Sequence, residues 1–194
     1  MTTRAPSRRR FLGALFLLPV FAGCSDTPPA KLYTLAPRAA TPTRRPPASV
    51  SVSQVAVAKY LDRPQLVRYS DPYQMSAAEY ERWGEGMSDM VTRVLVENLS
   101  QRLPGSQIYA ASGPLTLPKA EFSVEVNVDK FDADSSGTII LVAQWVIHSG
   151  KGRSQFHAQE VRVAPPSPDA AGQVAAMSDA LGQLSSQIAA GIAT

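Results

Sequence analysis

The chain holds a single thiol, Cys24. It stands directly after Phe21-Ala22-Gly23, which closes a 12-residue apolar run from Phe11 to Ala22; ahead of that run lies Ser7-Arg8-Arg9-Arg10. Small residues in front of one cysteine are the order of a bacterial lipobox, whose cysteine becomes the acylated first residue of the mature chain. Phe21 stands where leucine is usual. The competing reading is a plain secretory signal with an incidental cysteine. The expected chemistry is therefore a covalent lipid on Cys24, with no other cofactor.

Other candidates for chemistry are sparse. His148 and His157 are the only histidines and fall on adjacent expected strands, too few for a metal site; without a second cysteine no zinc set can be built from His and Cys. Asp132 and Asp134 could act as an acid–base pair or hold a hard cation, but read more simply as a solvated hairpin tip. Gly150-Lys151-Gly152 is a hairpin turn rather than a phosphate loop, and no Gly-x-Ser-x-Gly elbow occurs. Catalysis finds no support, and the chain is not expected to be an enzyme.

The basic start, short apolar middle and small-residue site together make an export signal over residues 1–23. The middle is shorter than the roughly 20 apolar residues that span a bilayer. Ser7-Arg8-Arg9-Arg10-Phe11-Leu12 resembles the twin-arginine export motif, with an arginine-rich Sec signal as the equal alternative. Ser25 after the cysteine permits transfer to the outer membrane where an aspartate would favour retention; Asp26 sits one place on. The expectation is the periplasmic face of the outer membrane.

The formal charge of +3 misleads. Removing Arg4, Arg8, Arg9 and Arg10 from 19 basic residues leaves 15 against 16 acids, so the mature chain is slightly acidic. A basic surface for nucleic acid is not supported.

Next come the elements that must position any site. Lys31–Leu35 alternates as a short strand, and residues 37–48, with Pro37, Pro42, Pro46 and Pro47, read as an extended, solvated linker. Ser49–Ala58 is a strand whose parity slips at Ser53-Gln54, the mark of a bulge. Tyr60–Pro64 reads as a turn or edge segment, and Gln65–Tyr69 as a strand broken by Asp71-Pro72. Ser76-Ala77-Ala78-Glu79 has the form of a capping box and predicts a helix to about Arg102, with Tyr80, Trp83, Met87, Met90, Val91, Val94, Leu95 and Leu99 as its apolar stripe and Gly84 and Gly86 as a kink. Strands are predicted at Ser106–Ala111, Ala120–Lys130, Thr138–His148 and Arg153–Val163. The Ala120–Lys130 strand has one wet face, and Thr138–His148, apolar on both faces, is expected to be covered on both sides. Ser167 is the expected cap of a last helix with a stripe of Val174, Met177, Leu181, Leu184, Ile188 and Ile192, opposite a small face of alanines.

These elements predict an α+β fold: two helices on one face of a largely antiparallel sheet, in a single domain. The expected organisation is a signal peptide over 1–23, a lipidated tether, short strand and Pro-rich linker over 24–48, and the domain proper over 49–194, with strand 31–35 joining it.

Several segments carry a further signal: Tyr33-Thr34-Leu35, Val55-Ala56-Val57, Tyr60-Leu61-Asp62-Arg63-Pro64-Gln65-Leu66-Val67, Arg82-Trp83-Gly84-Glu85, Asp129-Lys130-Phe131-Asp132, Leu141-Val142-Ala143-Gln144-Trp145 and Gln187-Ile188-Ala189. Together, over about residues 31–193, they resemble the PqiC family of ABC-type transport auxiliary lipoproteins. Gly84 departs from the alanine more usual there. The resemblance implies a non-enzymatic outer-membrane lipoprotein that assists an MCE-type lipid transport system. It also implies an MCE-domain partner and assembly into a homo-oligomeric ring. An assembly lipoprotein that carries no lipid is the alternative. The expected partner-binding residues are Tyr60, Asp62, Arg63, Pro64, Gln65 and Glu85, Arg63 offering bidentate hydrogen bonds. Against that stands a local role, in which Tyr60 and Pro64 fix a turn and Arg63 pairs with Glu85.

Overall fold

The computed structural model of the chain describes residues 2, 28–39, 41–43, 46–112 and 117–193. Cys24 and the expected signal, apart from residue 2, lie outside the described residues. The strands are β1 (Lys31–Tyr33), β2 (Ser49–Val52), β3 (Ala56–Val57), β4 (Gln65–Asp71), β5 (Gln74–Trp83), β6 (Gln107–Ala110), β7 (Phe122–Ala133), β8 (Ile139–Ser149) and β9 (Ser154–Val163); the helices are α1 (Met87–Arg102) and α2 (Ala170–Ile192). A 3-10 turn at Lys59–Leu61 joins β3 to β4.

All these strands form one sheet. Its long ladders, β7–β8, β8–β9 and β4–β5, are antiparallel. Short parallel ladders stitch β2, β3 and β4 in turn along the other side of β7, and β6 and β1 onto β2 and β5. The slip at Ser53-Gln54 is where one strand becomes two, β2 and β3.

Alternation decides which face is dry. Val124, Val126 and Val128 of β7 pair with Ile147, Trp145 and Ala143 of β8, and all six are buried under the helices. Both helices lie on this face. Met87, Met90, Val91, Val94, Leu95 and Leu99 of α1 join Val174, Met177, Leu181, Leu184, Ile188 and Ile192 of α2 in the core, each large side chain contributing about 1.5–3 kcal/mol by leaving water.

Four expectations are corrected. Gln74–Trp83 is a strand and not the first half of a helix: it pairs with β4 through Val67–Ala77, Arg68–Ser76 and Tyr69–Met75 and with β1 through Tyr33–Trp83, bonds a local capping pattern cannot compete with. The helix starts after Gly86, so the two glycines mark its boundary rather than a kink. On β8, the face away from the helices is open, with Gln144 exposed and Val142 and Val146 half-buried. On the small face of α2, Ala176, Ala180 and Ala189 are buried, in keeping with their size. Finally, Asp169 rather than Ser167 caps α2, its carboxylate accepting the Gly172 N–H at 2.8 Å; Ser167 donates to Asp169 instead.

The Pro-rich stretch also differs from a solvated linker. It is a strap across the helices. Ala36 N–H donates to Ser178 Oγ at 3.1 Å, Arg38 N–H to Asn98 Oδ1 at 2.7 Å, and Thr43 N–H to the Arg102 carbonyl at 2.7 Å. The Arg38 guanidinium pairs with Asp179 at 2.6 Å and donates to the Ala175 carbonyl. Beneath it the buried Arg102 donates to the carbonyls of Gly182 and Asn98 and to Ser186 Oγ. Burial lowers the Arg102 pKa from its ordinary value.

Candidate functional site

The 3-10 turn and the following Asp62-Arg63-Pro64 reach the surface beside the β5–α1 junction. Backbone bonds fix the approach: Trp83 N–H donates to the Pro64 carbonyl at 2.7 Å, and Gly84 N–H to the Tyr33 carbonyl at 2.8 Å. Between them lies a shallow groove of about 260 Å³, with Asp62, Arg63 and Pro64 on one wall and Trp83 to Gly86 on the other. Trp83 is buried and anchors the floor.

The structure thus brings together four of the six expected residues, Asp62, Arg63, Pro64 and Glu85. Gln65 opens β4 opposite Arg82 and stands behind the groove. Tyr60 points elsewhere. The Arg63–Glu85 pair does not form, because Glu85 is taken by Arg93, whose second carboxylate is Glu97. The hydrogen bond that Arg93 donates to Glu85 raises the pKa of Arg93. Arg63 is exposed and, among the described residues, has no ion-pair partner.

Tyr60 donates a short hydrogen bond to Asp132 Oδ2. Asp132 is fully buried on the sheet face away from the helices, so it is not part of a solvated hairpin tip; Asp134 alone serves the turn, accepting from Ser136 and Thr138. Lys130 approaches Asp132 Oδ1 at 3.4 Å and lies over the Tyr69 ring at 4.2 Å, a cation–π contact. Burial raises the Tyr60 hydroxyl far above the ordinary phenol value, helped by the bond to Asp132. Burial likewise raises the Asp132 carboxyl, against the lowering pull of Tyr60 and Lys130. This cluster rivets the turn to β7. It was missed in the sequence because Asp132 falls after a bulge between Val128 and Lys130, which breaks the simple alternation; the Asp129-Lys130-Phe131-Asp132 run was its only trace.

The folded state therefore holds the Asp132 proton more tightly than the unfolded chain does. Its stabilising contribution is full below the ordinary carboxylate pKa and is lost as pH rises through the folded value. Asp132→Asn keeps an acceptor for Tyr60 and removes the titration. Its melting temperature relative to the parent is expected to rise as pH rises above the ordinary carboxylate pKa of about 4, and thermal unfolding from that pH upward checks it.

His148 and His157 occupy opposite faces of the sheet. His148 bonds Ser154 Oγ and nears Glu125, whereas His157 stacks on Trp145 at 5.2 Å. Among the described residues no group of three His, Cys, Asp or Glu is placed to hold a metal, and no helix is long and apolar enough to cross a membrane.

The molecule is a two-layer α+β domain with a riveted turn beside a shallow groove. A family model described as ABC-type transport auxiliary lipoprotein component matches residues 32–189, and the chain belongs to that family. It is similar to the intermembrane transport lipoprotein PqiC of Escherichia coli (strain K12), 30% identical over 101 residues, and equally to that of Shigella flexneri. The match takes 52% of this chain and 52% of each relative, so it spans about half the length of these curated relatives. The structure of an uncharacterised protein superposes with a TM-score of 0.71 at 22% identity, over 85% of this chain and 99% of that one. Protein XCC0632 from Xanthomonas campestris does so with a TM-score of 0.67 at 18% identity, over 81% and 92%. These two likenesses concern the fold.

Proposed function

We propose that the chain is a periplasmic lipoprotein held on the outer membrane through Cys24. It acts as the accessory subunit of an MCE-type ABC lipid transport system, by docking an MCE-domain protein. The family match supports the transport role. The observation that carries the docking step is Arg63, an exposed guanidinium without a counter-ion among the described residues, on a turn whose backbone is fixed from both sides. A preorganised arginine beside Asp62, Pro64 and a buried tryptophan loses little entropy on binding.

A homo-oligomeric ring belongs to the same proposal. Its support is that, among the described residues, β9 pairs only with β8 and the outer length of β5 has no further strand beside it, which makes two unlike margins of one sheet. Unlike margins join head to tail, the arrangement that closes into rings.

Arg63→Ala is expected to weaken capture of the MCE-domain partner at least about tenfold, about 1.4 kcal/mol. Stability should change by less than about 0.5 kcal/mol, because the side chain is exposed. Crosslinking in cells followed by mass spectrometry reads the first, and thermal unfolding the second. Unchanged capture, or recovery of a barrel-assembly partner in place of an MCE protein, overturns the reading.

A further inference from the structure

The β4–β5 hairpin projects from one end of the sheet. β4 is in parallel register with β7 at Arg68–Ala133, the last residue of β7, so the hairpin continues past the end of its neighbour. Among its polar residues three large side chains stand exposed: Tyr73 at the tip is 97% exposed, with Met75 at 40% and Tyr80 at 37%. The Asp71 carboxylate accepts the Tyr73 and Gln74 amides at 2.7 and 2.9 Å and so fixes the turn that presents Tyr73.

The tether runs toward this same tip. β1 is parallel to β5, with Lys31 opposite Glu81, so the chain upstream of Lys31 leaves in the direction of the hairpin end. Seven residue steps separate Lys31 from Cys24 and span at most about 25 Å. From the same level, β4 advances from Gln65 to Asp71, about 20 Å, with Pro72 and Tyr73 beyond. Even a fully extended tether therefore carries residue 24 no further from the body of the domain than about the level of the tip.

We infer that the tip of the β4–β5 hairpin, through Tyr73 and Met75, is a second contact with the lipid bilayer that carries the acyl anchor. This rests on the proposed acylation of Cys24. A tether this short leaves the tip no room to stand clear of the headgroups. Tyrosine suits that layer, with an apolar ring and a hydroxyl that stays hydrated. The contact sets the domain's attitude: the β7–β8 turn shares the membrane-facing end, and the β8–β9 turn at Ser149–Gly152 faces away.

The test uses the full protein, exported, purified from membranes and reconstituted in phosphatidylethanolamine–phosphatidylglycerol vesicles. With Cys24 acylated, the parent has no free thiol, so Tyr73→Cys and Lys151→Cys each introduce one for an environment-sensitive fluorophore. Lys151 lies in the exposed turn at the opposite end. The expected result is blue-shifted emission at position 73, with quenching by spin-labelled lipid several-fold stronger than at position 151. A parent that still reacts with maleimide overturns the anchor, and the reach argument with it. A blocked parent thiol with equal quenching at both positions overturns the hairpin contact alone. So does a position-73 label that escapes lipid quenching and instead crosslinks to a second copy.

Discussion

Replacing Cys24 by serine is expected to release the protein from the membrane fraction almost completely. Each buried methylene contributes about 0.8 kcal/mol, one acyl chain binds only marginally, and two or more make a stable anchor. Serine has no thiol to acylate, so all of this is lost at once. One tyrosine and one methionine at the hairpin tip offer far less apolar area than an acyl chain. The protein should move to the soluble periplasmic fraction while its fold stays intact, because residue 24 lies ahead of the first strand. Fractionation with immunodetection, beside a melting curve, measures both. A Cys24→Ser protein that still sediments with membranes would contradict the anchor.

Gly172→Ala is expected to be among the most damaging small substitutions in the domain. An added Cβ would stand 2.1 Å from the Ser167 carbonyl oxygen and 2.4 Å from its hydroxyl. The first is backbone and cannot rotate away, so the segment ahead of α2 must move. That movement also disturbs the Asp169 cap, which accepts the Gly172 N–H; losing such a cap alone costs about 1 kcal/mol. Alanine returns about 1 kcal/mol in helix propensity. Overpacking against fixed backbone outweighs it, for a net loss of about 3 kcal/mol. For a domain of this size that lowers the melting temperature by about 6–12 °C. Adding Ser167→Gly removes the hydroxyl but not the carbonyl, so it should not restore stability. A Gly172→Ala protein that melts at or above the parent would show that the segment yields freely.

Much of this fold was legible because its strongest signals are periodic and long. The alternation through Phe122–Val128 located β7 and its dry face, and the stripe from Val174 to Ile192 located α2. The capping pattern at Ser76–Glu79 misled because four residues report only local preference. The hairpin arm is exposed on both sides and therefore carries no alternation to contradict it; what makes Gln74–Trp83 a strand is the partners it finds in β1 and β4. The site was legible in part. Asp62, Arg63, Pro64 and Glu85 do meet around one groove, but Arg93 of α1 claims Glu85, which lies ahead of the helix, a contact that spacing alone does not reveal. Burial of Asp132 needed Tyr60, 72 positions away, and such a distance leaves no mark in a local pattern.

The strap has a mechanical consequence. Any tug on residue 24 is delivered along the axis of β1, parallel to β5, so its ladder bonds share the load instead of parting one by one. Beyond Tyr33 the force passes to Leu35, buried in the core, and to Arg38, fastened to both helices. With Cys24 acylated as proposed, the domain withstands a pull at that end without unravelling from it.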